Sequence, residues 1–181
     1  MFNYLVKCLL YILPVLLSGL LFIFFLKMDY FNFLNKPIDF NTNIFGKNKT
    51  FKGLILMPVF CFFFTLILTV FLNNENEIYS TGNLYKSFLL GLFYSLGELP
   101  NSFIKRRLGI PPGETSKKEI ERFVFLILDN IDSIISCLIC LIFIYQINLI
   151  YLIGIFISGS TIHFMTDFLM FKIKIKQLPW V

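Results

Sequence analysis

The chain has 181 residues, of which 57% are hydrophobic and 24 are phenylalanine; its mean hydropathy is +0.77 and its formal net charge +5. That mean lies well above the range of soluble domains, and the apolar residues fall in runs of about twenty without a charge, so the chain reads as an integral membrane protein. A disulfide framework is not expected, because Cys8, Cys61, Cys137 and Cys140 all lie inside apolar runs.

The first span is read over residues 4–26, with Lys7 near one end, Lys27 at the other and Pro14 inside. A membrane helix tolerates such a proline when neighbours cover the freed groups. The run is too long for a cleavable leader, lacks a small-residue cleavage site and precedes further spans, so it is expected to be retained. A polar loop from Lys27 to Lys52 carries five lysines. The second span covers 53–72 and closes on the acidic, turn-rich Asn73-Asn74-Glu75-Asn76-Glu77. The third, 83–99, is shorter and is expected to end at Pro100, which lacks an N–H and clashes with the preceding turn.

Residues 100–122 form a second polar loop, with Thr115 or Ser116 expected to cap the next helix. Spans over 123–145 and 147–171 follow as a tight hairpin, separated only by Gln146 to Asn148. The terminal Lys172, Lys174, Lys176 and Trp180 suit a headgroup interface. The fold class is therefore all-α: one polytopic membrane domain over residues 1–181, with about five transmembrane helices and two large loops. With the N-terminus outside, fourteen of the sixteen Lys and Arg fall on one side, leaving only Lys7 and Lys86 opposite. Both loops are then cytoplasmic.

Asp129 and Asp132 stand at i, i+3 in the fourth span, and Ser133 and Ser136 continue the same face. Two carboxylates in an apolar helix must face a protein interior or a wet cavity with a cationic partner. Hard oxygen ligands of this kind suit Mg2+. The bland alternative is an ion pair with Arg122, Lys105 or Arg106 that only holds helices together. Ser102, Lys105 and Arg106 stand at i, i+3, i+4 with Arg107 beside them, a cluster that fits a triphosphate or a lipid phosphate. An ordinary juxtamembrane basic patch is its alternative, but glycines and prolines bracket this one.

Three other groups carry weaker signals. Gly46-Lys47-Asn48-Lys49-Thr50 resembles a P-loop superficially, yet it lacks the first glycine and the preceding strand; a glycine turn that brings Lys49 and Thr50 to a phosphate is what is left. Ser160, His163 and Asp167 share one face of the last span, where Asp167 suits either a tautomer-fixing partner of a histidine base or, preferably, a buried pair that steadies the bundle. Ser87, Gly91, Ser95, Gly154 and Ser158 read as close helix packing, as do both cysteines of Cys137-x-x-Cys140.

At these residues the chain resembles the CDP-archaeol synthases, integral-membrane cytidylyltransferases related to those that make CDP-diacylglycerol. The likeness rests on Lys36-Pro37-Ile38-Asp39-Phe40, on Gly46 through Gly53, and on Gly97-Glu98 with Ser102 through Gly109. It continues with Asp129-Asn130-Ile131-Asp132-Ser133, His163 and Pro179-Trp180. The resemblance implies transfer of a cytidylyl group from CTP to the phosphate of a membrane lipid, with Mg2+ and release of pyrophosphate. By similarity, Asp129 and Asp132 hold the metal and share the catalytic role with Lys105. Ser102, Lys105, Arg106 and the adjacent Arg107 hold phosphates, and Asp39, Lys49 and Thr50 contact nucleotide or phosphate. The expected partners are CTP and a lipid phosphate at the cytoplasmic face of the cell's inner membrane, with no nucleic acid and a homo-oligomer left open.

Glu98 and Pro100-Asn101 stand where archaeal members more often carry Gly-Asp followed by small and apolar residues. Phe51-Lys52 replaces the usual Trp-Arg, and Asp167 replaces a neutral amide. The rival reading is a small transporter or headgroup-binding subunit in which the same charges line a pathway.

Overall fold

A computed structural model describes residues 2–27, 30–40, 44–72 and 78–172. The expected acidic break at 73–77 and the basic terminus beyond Lys172 lie outside them. Among the described residues there are five long helices: α1 (Phe2–Lys27), α2 (Phe51–Phe71), α3 (Leu84–Arg107), α4 (Glu119–Cys140) and α5 (Leu149–Lys172). Among the described residues the only strand-like pairing is a single antiparallel bridge between Pro37 and Thr50.

Four of these helices are long and apolar enough to cross a membrane, counting the five-residue π-turn Leu141–Tyr145 with α4. Helix α3 matches them in length but carries Lys86, Glu98 and Lys105 to Arg107. The expectation that Pro100 ends this helix is corrected. The missing N–H removes one bond, to the Leu96 carbonyl, but helical bonding resumes beyond it, and Leu108, Gly109 and Ile110 then close the end on Ile104, Arg106 and Lys105 at 3.0–3.1 Å. The expected cap of α4 is also corrected. Lys118 takes the N-cap position, and Ser116 acts one step earlier: its hydroxyl accepts the Lys118 N–H at 3.2 Å and donates to Glu121 at 2.6 Å.

The helices close into a ring in which α3 lies between α2 and α4, while α1 joins α2 to α5 and α5 returns to α4. Cys8, Ile12, Met57, Cys61, Leu90, Cys137, Cys140 and Ile155 form the core, and all four cysteines are free and buried as packing residues. Pro14 frees the Leu10 carbonyl four residues back; the buried Tyr79 hydroxyl donates to that oxygen. Gly91 presses α3 against Met57 and Pro58 of α2, and Gly154 presses α5 against Tyr4 and Cys8 of α1.

Both polar loops lie at one end of the bundle. In the first, the Asp39 carboxylate accepts the backbone N–H groups of Ile44 (2.9 Å), Phe45 (2.8 Å) and Gly46 (3.4 Å). Gly46 has φ +94°, and its missing side chain lets Pro112 and Arg106 of the second loop region pack against it.

Three substitutions test this frame. A Cβ at Gly97 would lie 2.6 Å from the Ser136 Cβ and 2.9 Å from the Asp132 carbonyl oxygen, whereas one at Gly19 meets nothing within 4 Å. Gly97→Ala is therefore expected to lower stability by about 1–3 kcal/mol in a detergent melting experiment, with Gly19→Ala neutral or slightly stabilising. Asp39→Ala removes an acceptor shared by three backbone donors and is expected to loosen the first loop by about 1–3 kcal/mol. Hydrogen exchange at Ile44, Phe45 and Gly46 should accelerate at least tenfold, while α2 keeps its protection.

Candidate active site

Gly97 sets the site by letting α3 approach the Asp132–Ser136 turn of α4 as closely as backbone allows. One residue further, Glu98 begins a stripe in which Asn101, Ser102 and Lys105 follow at i+3, i+4 and i+7. Asp129 and Asp132 face it from α4. The Asn101 amide donates to Asp129 Oδ1 at 2.7 Å and to Asp132 Oδ2 at 3.1 Å. Lys105 Nζ lies 2.6 and 2.5 Å from the two oxygens of Asp129 and 5.4 Å from the Phe125 ring centre. Its side chain is only 12% exposed, so this is a desolvated ion pair and not a surface contact.

The other oxygen of Asp132 accepts the Ser133 N–H at 2.6 Å and the Ser133 hydroxyl at 3.2 Å. Ser133 is also within 3.5 Å of Glu98, whose second oxygen is paired with Lys49 of the first loop. Burial pulls the Lys49 ammonium down, but Glu98, with Asp132 and Asp129 behind it, more than offsets that and the net shift is upward from 10.5. A raised cation keeps its contribution below the unfolded value and loses it only as pH climbs through the folded one, so the contact holds across the neutral range.

The structure thus brings together Lys49, Lys105, Asp129 and Asp132. Ser102 is buried on α3 beside them. Thr50 sits at the start of α2 in extended backbone, making no side-chain cap. Arg106 leaves the carboxylates and turns to the Ile110 carbonyl and Gly46, with its Nε buried and unpartnered. Arg107 lies over the Phe103 ring, 5.0 Å from its centre, and is exposed away from the cluster. Asp39 is engaged by loop backbone. In α5, Asp167 is buried, but it does not hold His163 Nδ1, which is buried without a partner next to the Tyr94 ring.

Asn101 and Glu98 were legible as residues but not as members of the site. The signal was their spacing from Lys105 on one helical face, masked by the assumption that the helix stops at Pro100. Asn101 also bears on the metal. Its NH2 lies between two carboxylates, where a cation fits, and its Oδ1 is buried without a hydrogen-bond partner. Turning the amide over gives a third hard oxygen donor beside Asp129 and Asp132, a set suited to Mg2+ with phosphate oxygens completing the shell. No three His, Cys, Asp or Glu gather into a metal-holding group among the described residues.

Comparison with known proteins points the same way. The CarS-like family, described as CDP-archaeol synthase, matches residues 1–180. The CDP-archaeol synthase of Saccharolobus islandicus (strain L.S.2.15 / Lassen #1) is 32% identical over 152 residues, covering 80% of this chain and 81% of that protein. Those of Sulfurisphaera tokodaii and Sulfolobus acidocaldarius are 30% and 28% identical over 151 residues, covering 80% of this chain and 81% and 83% of theirs. No solved structure matches. This sets aside the transporter and headgroup-binding alternatives: the chain belongs to the CarS-like CDP-archaeol synthase family, and its activity is CTP-dependent cytidylyl transfer to a lipid phosphate.

Proposed function

We propose that the α3–α4 carboxylate site carries this transfer, at the cytoplasmic face of the cell membrane and within one membrane domain. The observation that supports it is the convergence of Asn101 and Lys105 on Asp129 and Asp132. In the reaction an oxygen of the lipid phosphate attacks the α-phosphorus of CTP; the bond to the β-phosphate oxygen breaks, and pyrophosphate leaves with that electron pair. No covalent nucleophile is required, so the protein's task is to position two anions and neutralise their charge.

Asp129 and Asp132, with the Asn101 oxygen, are the residues that would hold Mg2+, which when bound supplies positive charge to the phosphates. Lys105 moves between carboxylate and phosphate, a short shift for a flexible ammonium already 2.5 Å from Asp129. Arg106, with an unused buried donor, and Lys49 and Thr50 from the first loop bracket the nucleotide from the loop side, with Ser102 beneath. Asp39 serves by shaping the loop, and Arg107 adds charge at the rim. Sidedness is supported by the basic residues: Lys27–Lys52 and Lys105–Arg122 hold eleven of the sixteen. The relatives' names support a CDP-archaeol-type product.

The test is pyrophosphate release by the detergent-purified chain given CTP, Mg2+ and a lipid phosphate monoester. Asp129→Asn, Asp132→Asn and Lys105→Ala are each expected to lower kcat/KM by about 10²-fold or more. Full activity in Asp129→Asn or Lys105→Ala would remove the reaction from this site.

A further inference from the structure

The carboxylate site has a side opening. Between the second loop and α4 lies a recess lined by Lys105 and Asp129 at its inner end, Arg122 at its mouth, and Ile110, Phe125 and Leu126 along its walls. Its polar groups are engaged unequally. Lys105 is paired with Asp129. Ser116, also on the lining, spends its hydroxyl on Lys118 and Glu121, and both Glu121 oxygens are taken by Ser116 and Lys118. Among the described residues Arg122 forms no ion pair, although Glu114 lies on the same lining. An arginine fork at the mouth of a recess that ends on a lysine offers two cations that a phosphate can engage, with Asp129 and Glu114 as the opposing charges on the lining.

The position of this mouth indicates whose phosphate it is. Arg122 lies in the first turn of a membrane-spanning helix, and its neighbours Ile120, Phe123 and Val124 are 82%, 64% and 44% exposed, an outward apolar surface at the level where headgroups meet acyl chains. The recess lining sets the apolar Ile110, Phe125 and Leu126 beside Glu114, Thr115 and Ser116. A lipid phosphate brings apolar carbons directly behind its charge, which matches an outward apolar surface at this level.

We propose that Arg122 and the Ile110–Phe125–Leu126 walls form the acceptor subsite, which takes the phosphate monoester of a membrane glycerolipid laterally and delivers it to Lys105. This rests on the catalytic reading above, but its test does not require turnover. Equilibrium binding of dihexanoyl-glycerol phosphate, of its dihexyl ether counterpart and of CTP is measured separately on the full chain in detergent. Arg122→Gln is expected to weaken the lipid phosphates at least tenfold and CTP by less than twofold, with Arg122→Lys in between; dihexanoylglycerol, lacking the phosphate, is expected to bind alike in all three. Unchanged lipid-phosphate affinity, an equal or larger loss for CTP, or no binding of either lipid phosphate by the unmodified chain overturns the subsite. If Arg122→Gln binds neither ligand, Arg122→Lys decides: a threefold loss confined to the lipid phosphates supports the subsite, and a smaller or shared loss overturns it. Failure of pyrophosphate release alongside intact, Arg122-dependent lipid-phosphate binding would count against the catalytic reading alone.

Discussion

A carboxylate in the apolar stretch of a membrane helix is tolerated only if something on a neighbouring helix answers it, and α4 has two, one turn apart. The rest of the structure follows from that demand. Helix α3 supplies the answer with Asn101 between both carboxylates and Lys105 on one of them. Because it must carry these groups, α3 is the helix that fails to be apolar enough to cross on its own account, and it is placed between α2 and α4. Gly97 completes the arrangement by removing the side chain that would hold the two backbones apart.

Such a pair is poor evidence for stability, since desolvating two charges cancels much of their attraction. Under the proposed function the pair is a poised site. Every charged group at the centre is held by a partner that a phosphate or a metal ion can replace: Lys105 by Asp129, Asp132 by an amide, Lys49 by Glu98. The loops then position the outer cations, with Asp39 folding one loop through its backbone and Gly46 receiving Arg106 of α3 and Pro112 of the other loop. The recess between the second loop and α4 adjoins this centre, and its Arg122 forms no ion pair among the described residues.

The helical architecture was legible because long apolar runs admit only one reading in lipid, and Asp129, Asp132 and Lys105 were legible because helical spacing puts carboxylates and cations on defined faces. What hid the rest was local. Pro100 is a helix breaker by rule, yet one missing bond does not stop a helix whose next turns are anchored, and treating it as a stop concealed that Glu98, Asn101 and Lys105 share a face. Arg106 and Arg107 are adjacent in sequence, but only the structure shows one folded onto the loops and the other over Phe103. The partner of Leu10's freed carbonyl, Tyr79, lies 69 residues away and leaves no local trace.

The central claim is that Asp129, Asp132 and Asn101 hold one divalent ion against the phosphates of CTP. Anomalous diffraction from crystals of the chain grown with CTP and Mn2+ tests it directly. The account predicts a manganese peak between the two carboxylates, with the Asn101 oxygen and a nucleotide phosphate in its shell and Lys105 turned toward phosphate. A peak elsewhere, with Asn101 still bridging the carboxylates, would contradict it.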